Sequence, residues 1–127
     1  MKIVLDSSAY IDFCKGDSKT VQIIRSAESV FVPFIVLGEL RGGFLSGSQT
    51  LKNEQILTRF LNEYQVDVLY PDDQTAHHYA RLHHQLRKQG TPIPQNDLWI
   101  AALVSQHDLY LCARDKHFDV FPQIPRV

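Results

Sequence analysis

The sequence predicts an α/β sandwich whose central sheet is mainly parallel. Short apolar segments alternate along the chain with longer segments in which apolar residues recur at helical spacing. Hydrophobic residues make up 44% of the 127 residues and charged residues 21%, which is typical of a globular chain that buries a core without disulfides. This length predicts a single domain over residues 1–127.

Four short segments have the character of buried strands, because each is apolar and ends near a turn residue, an acid or a proline. They are Lys2 to Leu5, Ser29 to Val32, Val66 to Leu69 and Leu109 to Ala113. The second of them is predicted to stop at Pro33. The tail from Phe118 onward is a candidate for a further edge strand.

The segments between these strands carry apolar stripes and residues that begin or end helices. The predicted helices run from the Asp17-Ser18 cap through Ala27, from Phe34 to Gly42-Gly43, across Leu57 to Tyr64, from the Asp72-Asp73 caps to Gly90, and from a cap at Asn96 through Val104. The predicted inner face of the fourth is Ala76, Tyr79, Ala80 and His83, and that of the fifth is Asp97, Ile100, Ala101 and Val104. In such a fold, ligands bind beyond the carboxyl ends of the strands.

Composition excludes some classes of protein and leaves others open. The net charge of −1 excludes a strongly basic protein that holds nucleic acid by bulk electrostatics, but a nuclease site is itself acidic and remains compatible. No apolar run approaches the roughly 20 residues that span a bilayer, and the amino terminus does not resemble a signal peptide. The two cysteines are expected to be reduced thiols, which predicts a cytoplasmic protein without membrane contact.

Four acidic residues stand where the pattern places the ends of strands or the inner faces of helices. Asp6 directly follows the first strand, Asp115 follows the last one, and Asp97 shares the inward face of the fifth helix. Glu39 lies among apolar residues of the second helix. Taken singly, each acid is explained by a turn, a helix cap or an exposed position. Together they can converge at one end of the sheet, where carboxylates repel one another unless a cation neutralises them.

An all-carboxylate cluster suits Mg²⁺ or Mn²⁺, because these cations prefer oxygen ligands. The sequence has no set of cysteines and histidines that is typical of zinc sites. A site of this kind suits the hydrolysis of phosphodiester bonds by a metal-activated water, with one or two metal ions.

Four motifs in this sequence occur in an order and spacing that resemble those of PIN-domain ribonucleases, and among them the VapC toxins of type II toxin–antitoxin pairs. The motifs are Val4-Leu5-Asp6-Ser7-Ser8, Gly38-Glu39-Leu40, Ile93-Pro94-Gln95-Asn96-Asp97-Leu98-Trp99-Ile100-Ala101-Ala102 and Ala113-Arg114-Asp115-Lys116-His117-Phe118. Each motif alone is weak, but four in order over nearly the whole chain are specific.

The resemblance implies a three-layer α/β/α sandwich and an endoribonuclease that acts as a toxin. It implies that Asp6, Glu39, Asp97 and Asp115 are the catalytic residues and bind Mg²⁺ or Mn²⁺. It further implies an RNA substrate, a cognate VapB-like antitoxin and a homodimer.

Several residues near the predicted site have more than one interpretation. Ser8 keeps a hydroxyl that can orient a ligand or a water. Arg114 and Lys116 can hold RNA phosphates or pair with the acids. Asp12 is a structural acid if a helix begins near Ser8. His117 is a candidate general acid or base, although the metal mechanism does not require one.

Two alternatives remain open at this stage. One is a degenerate PIN domain that binds RNA or a partner protein without cleaving it, because Ala113 stands where the family often has threonine or serine. The other is a phosphorylatable receiver domain. A receiver needs adjacent acids after the first strand, and here Asp6 stands alone.

Overall fold

The computed structural model describes all residues from 1 to 127, along which strands and helices alternate. The strands are β1 (Lys2–Leu5), β2 (Ser29–Pro33), β3 (Val66–Leu69) and β4 (Tyr110–Cys112). The helices are α1 (Ser7–Cys14), α2 (Ser18–Ser26), α3 (Phe34–Ser46), α4 (Thr50–Leu61), α5 (Asp73–Gln89) and α6 (Gln95–His107), and a 3-10 helix covers Lys116–Val120. None of these helices combines the length and the apolar character needed to cross a bilayer.

The four strands form one parallel sheet in the order β3-β2-β1-β4, with helices on its faces. This confirms the predicted three-layer α/β/α sandwich. Leu5 at the end of β1 is in register with Cys112 at the end of β4, and the backbone N–H of Asp6 donates to the Cys112 carbonyl oxygen at 3.3 Å. Because all the strands run the same way, the residues that follow them meet at one edge of the sheet.

The sheet and α6 form the centre of the core. Ile3, Val4 and Leu5 of β1 have no exposed surface, and residues 100–104 of α6 are all buried. A strand and a helix buried this completely stay in place because moving them would expose apolar surface at about 25 cal/mol per Å². Both elements lead directly to acids, Asp6 after β1 and Asp97 in the first turn of α6, so those acids stand on rigid supports.

Three of the helix ends predicted from sequence have the expected chemistry. The Asp17 side chain accepts the Thr20 N–H at the start of α2. Asp72 and Thr75 form a reciprocal capping box at the start of α5. Gly90 ends α5 with φ of +70°, a left-handed conformation that favours glycine.

The helix predicted to end at Gly42-Gly43 instead continues to Ser46. Neither glycine has a positive φ, so neither adopts the left-handed conformation that would end the helix. A glycine inside a helix costs only about 1 kcal/mol, and packing of Leu40 and Phe44 against the core offsets that cost.

The helix predicted across Leu57 to Tyr64 is placed too late in the chain. The structure has α4 from Thr50 to Leu61, with Leu57 buried and Tyr64 fully exposed beyond its end. The spacing between these two apolar residues matched a helix by coincidence.

The inner face predicted for α5 was wrong at three of its four residues, since only Tyr79 is partly buried against the core. Its buried residues are Thr75, Leu82 and Leu86, whereas Ala76, Ala80 and His83 are exposed. Burying two leucines removes more apolar surface from water than burying two alanines, so the leucine face turns inward.

Two predictions near the carboxyl-terminal part of the chain also change. Asn96 does not cap α6, because the helix begins one residue earlier at Gln95 and no side chain caps it. The predicted edge strand is reduced to one parallel bridge between Leu111 and Arg126, after the 3-10 helix that contains the buried Phe118.

Candidate metal centre

Asp6 is fixed by the start of α1 and is 5% exposed. One oxygen of its carboxylate, Oδ1, accepts the Ala9 backbone N–H at 2.9 Å and the Ser8 hydroxyl at 2.7 Å. The Ser8 hydroxyl in turn accepts the backbone N–H of Arg114 at 3.3 Å. Ser8 therefore ties Asp6 to the segment after β4.

Burial raises the pKa of Asp6, and the neighbouring charges of Asp115 and Asp97 raise it further. The hydrogen bonds from Ala9 and Ser8 lower the pKa and oppose this effect. No lysine or arginine lies in an ion pair with Asp6. An ionised Asp6 therefore carries charge repulsion that a bound cation would relieve.

Asp97 and Asp115 come together at the imidazole of His117. The Nδ1 atom of His117 lies 2.8 Å from Asp97 Oδ2 and 3.1 Å from Asp115 Oδ1. One potential ligand atom from each of the three residues lies within 4.8 Å of the others. The inward stripe of α6 was predicted correctly, since Ile100, Ala101 and Val104 are buried and the Asp97 side chain is only 14% exposed.

Burial is also the main cause that raises the pKa of Asp97. The hydrogen bond with His117 opposes the shift, whereas the charges of Asp115 and Glu39 add to it. Glu39 reaches the cluster from α3, where its Oε1 accepts the Ser7 hydroxyl at 2.8 Å. The structure therefore brings all four predicted acids, Asp6, Glu39, Asp97 and Asp115, to one edge of the sheet.

The two predicted RNA-contact residues differ in their surroundings. The guanidinium of Arg114 donates two hydrogen bonds to the Asp12 carboxylate, at 3.0 and 3.2 Å. Asp12 therefore pairs with Arg114, as expected for a structural acid. Lys116 is exposed and forms no ion pair.

Comparison with known proteins identifies the family. The family model described as PIN domain matches residues 3–123 of this chain. Ribonuclease VapC1 of Haemophilus influenzae strain R2866 is 36% identical over 107 residues, which cover 80% of this chain and 77% of that relative. This chain belongs to the VapC family of PIN-domain proteins. Ribonuclease VapC5 of Mycobacterium tuberculosis strain H37Rv is 31% identical over 115 residues, which cover 91% of this chain and 84% of that one.

A solved VapBC structure has the same fold. The structure of VapBC-1 from nontypeable Haemophilus influenzae superposes with a TM-score of 0.85 at 26% identity, over 100% of this chain and 97% of that chain. Membership of the VapC family removes the receiver-domain alternative, because the match to the PIN domain extends through all four motifs.

The donor chemistry of this VapC-family site fits a hard divalent cation. Ligand atoms of Asp97, Asp115 and His117 lie within 4.8 Å of one another, and Asp6 and Glu39 are near enough to exchange charge effects with these acids. Asp6 and Asp97 are largely buried without a lysine or arginine to neutralise them. Carboxylate oxygens are the ligands that Mg²⁺ and Mn²⁺ prefer, and clustered buried carboxylates are costly when nothing balances their charge.

Two residues of this cluster, His117 and Ser7, have only weak signals in the sequence. The sequence indicates His117 only as a candidate general acid or base, whereas in the structure its imidazole contacts two of the acids. The sequence feature that pointed to His117 was its position two residues after Asp115 in the same motif. Ser7 was not singled out, and it holds Glu39 from the first turn of α1. The sequence signal for Ser7 was a hydroxyl next to Asp6.

Proposed function

We propose that this VapC-family chain is a Mg²⁺- or Mn²⁺-dependent endoribonuclease and the toxin of a VapBC-like pair. The observation that carries the proposal is the convergence of four acids at the carboxyl edge of the parallel sheet, two of them largely buried with raised pKa values. The names of the relatives, Ribonuclease VapC1 and Ribonuclease VapC5, support an activity on RNA.

The four acids have two different roles in this proposal. Asp6 and Asp97 would hold the cation from rigid supports, while Asp115 and Glu39 complete the set of oxygens. When bound, the cation supplies a water of lowered pKa and neutralises charge on the scissile phosphate. His117 is hydrogen-bonded to Asp97 and close to Asp115, so its imidazole limits the movement of both carboxylates.

The RNA backbone needs cations beside the acid cluster. Lys116 follows Asp115 directly and is exposed without a partner, so we assign it a contact with an RNA phosphate. The Arg114 side chain is 67% exposed and so within reach of RNA, but it would have to break its ion pair with Asp12 before it could bind a phosphate. We therefore assign Arg114 mainly a structural role, in which it ties the segment after β4 to α1, and only a secondary role in binding RNA.

The degenerate-domain alternative is not favoured. A domain that had lost cleavage would be expected to lack one or more of these acids, and here all four are present, with Asp97 and Asp115 both in contact with His117. The departure at Ala113 leaves Asp115 oriented, because its Oδ1 accepts the backbone N–H of His117 at 2.9 Å.

A groove next to the acid cluster supports the proposed antitoxin partner. Its volume is about 400 Å³, and it lies between α1, α3 and α4. Its lining is largely apolar, with Tyr10, Ile11, Leu40, Phe44 and Ile56, yet it also includes Ser7 and Glu39. An apolar segment of an antitoxin seated there would reach the acid cluster. The groove lies beside α4, the helix that sequence analysis had begun too late.

Two further assignments belong to this proposal. Phe34 and Tyr70 are 53% and 62% exposed, with ring centroids 5.8 Å apart, and such a patch of exposed aromatics supports a homodimer. Cys14 and Cys112 are free thiols, which agrees with a cytoplasmic location.

The test is cleavage of a mixed RNA pool by the purified chain. We expect cleavage with Mn²⁺ or Mg²⁺, none in EDTA, and recovery when Mn²⁺ is restored. Asp97→Asn should lower the rate roughly 10²- to 10³-fold, since it removes a metal ligand worth several kcal/mol. Asp67→Asn is the matched control, because Asp67 is an exposed acid on β3. Cleavage that persists in EDTA, or in Asp97→Asn, would rule out this mechanism.

A further inference from the structure

We propose that Arg126 is a positioning residue for the acid cluster. It clamps the segment 113–117, which carries Asp115 and His117, and thereby sets how tightly the cluster binds its cation. This inference rests on the proposed metal-dependent activity, and Arg126 belongs to none of the four motifs that define the site.

The clamp consists of contacts from one guanidinium group to the segment after β4. Nη2 of Arg126 donates to the carbonyl oxygen of Ala113 at 2.6 Å and to that of Asp115 at 3.0 Å. Nη1 donates to the carboxylate of Asp119. The two carbonyl groups flank Arg114, so the backbone just before and at Asp115 is held at two points.

Arg126 is itself held in place by the end of the sheet. The Leu111 N–H donates to the Pro125 carbonyl oxygen at 2.8 Å, and the Val127 N–H donates to the Leu111 carbonyl oxygen at 3.0 Å. The guanidinium carbon lies 6.0 Å from the centre of the ring of Phe118, which is fully buried. The clamp is therefore anchored to β4 at one end and to the core at the other.

These contacts account for the orientation of Asp115. The carbonyl group of Asp115 is held by Arg126, and its carboxylate accepts the His117 N–H at 2.9 Å. Asp115 is therefore fixed through its backbone by Arg126 and through its carboxylate by the backbone of His117. The positions of both therefore depend on Arg126, although the guanidinium contacts no carboxylate of the cluster.

A lysine cannot replace this arginine without loss. The planar guanidinium presents several N–H groups in a fixed fork, whereas an ammonium group is a compact charge with no fork. Groups that orient metal ligands typically change metal affinity or activity by roughly 10- to 100-fold when they are mutated. Arg126→Lys keeps the charge and removes the geometry, so it tests the clamp.

The experiment compares the full chain with the variants Arg126→Lys and Arg126→Ala and with a control variant, Arg25→Lys. Arg25 is a suitable control because it is exposed on α2 and forms no ion pair. Calorimetry with Mn²⁺ alone gives the metal affinity, and cleavage of an RNA oligonucleotide gives kcat and KM. We expect Arg126→Lys to weaken Mn²⁺ binding about 10-fold and to lower kcat by 10- to 100-fold. The KM for RNA should change little, because the guanidinium faces the protein, and Arg25→Lys should match the unmodified chain.

The other outcomes are equally decisive. A lower Tm in EDTA with unchanged Mn²⁺ affinity and unchanged kcat would overturn the clamp and leave Arg126 a purely structural residue. If Arg126→Ala fails to fold, Arg126→Lys decides alone. If the unmodified chain binds Mn²⁺ but cleaves no RNA, the proposed nuclease fails while the Mn²⁺ comparison still decides the clamp. If the unmodified chain binds no Mn²⁺, both proposals fail.

Discussion

A buried carboxylate without a cation is a cost to the folded state, and Asp6 is the strongest example in this chain. Its side chain is 5% exposed, and its pKa is raised mainly by burial and further by two neighbouring acids. A residue selected only for stability would be neutral at this position. The residue therefore makes opposite contributions to stability and to the proposed activity.

We predict that Asp6→Asn separates these two contributions. Asparagine can still accept the hydrogen bonds from Ala9 and Ser8, while it removes the repulsion by Asp97 and Asp115. In EDTA we expect the Tm to rise by roughly 2–8 °C, which corresponds to about 1 kcal/mol of unfolding free energy. Cleavage should fall to background, and Mn²⁺ should no longer raise the Tm. Scanning calorimetry in EDTA and in Mn²⁺ checks this.

A Tm in EDTA below that of the unmodified chain would contradict the repulsion argument. It would mean that the hydrogen bonds of the cap outweigh the charge of the cluster at this site.

Among individual residues, the acids of the site could be predicted from the sequence, whereas most of the residues that contact them could not. Asp6 and Asp97 were predictable because strand ends and inward helix faces are visible in the apolar pattern. His117 and Arg126 were not, because their contacts depend on the path of the segment between them, which no periodicity encodes. The pairing of Arg114 with Asp12 links residues 102 positions apart and needed the fold.

Among the elements, α5 shows how a cap can be tested by pH. The pKa of Asp72 is lowered, first by the hydrogen bond from Gln106 and then by the Thr75 backbone N–H. A folded-state pKa below the unfolded value means that the ionised carboxylate stabilises the fold above about pH 4. That contribution is lost as the pH falls through the folded-state pKa.

We predict that Asp72→Asn has a lower Tm than the unmodified chain at pH 7, and that the gap closes below about pH 4. Asparagine keeps an acceptor for Thr75 and Gln106, so the gap reports the charge at the start of α5. Thermal unfolding between pH 7 and 3, with Asp67→Asn alongside, gives the comparison. A gap that stays constant over this range would show that the charge contributes nothing.

The elements themselves were predictable to differing degrees, for physical reasons. The strands and the caps at Asp17 and Asp72 were found because short apolar runs and capping side chains are local signals. The end of α3 was missed because Gly42-Gly43 can end a helix only in a left-handed conformation, and the tertiary packing decided otherwise. The face of α5 was predicted poorly because the pattern treats alanine and leucine alike as apolar, although leucine has much more apolar surface to bury.

For the whole molecule, the groove between α1, α3 and α4 joins an apolar surface to the acid cluster. A ligand bound in this groove would bury apolar surface and would at the same time lie against Glu39. Sequence reasoning could place the acids within the fold, but not this groove, because its walls come from three helices whose relative positions are set by packing.

We predict that Ile56→Asp weakens binding of the proposed VapB-like antitoxin by roughly 30-fold or more, the effect of losing a central apolar contact of about 2 kcal/mol. Ile56 lines the groove and is 37% exposed. Leu51→Asp is the control, since Leu51 is on the same helix, 72% exposed and outside the groove. Calorimetry measures binding, and RNA cleavage should remain unchanged in both variants. Equal affinities would place the antitoxin elsewhere.

The pairing of β1 with β4 has a consequence for how this protein is made. β1 leaves the ribosome first among the strands, yet one of its two neighbours is β4, which leaves last. Asp6 can therefore meet Asp115 only after the ribosome has translated more than a hundred intervening codons. A chain that ends before Asp97 lacks both Asp97 and Asp115, and one that ends before Asp115 still lacks that acid, so the acid cluster cannot form on an unfinished chain.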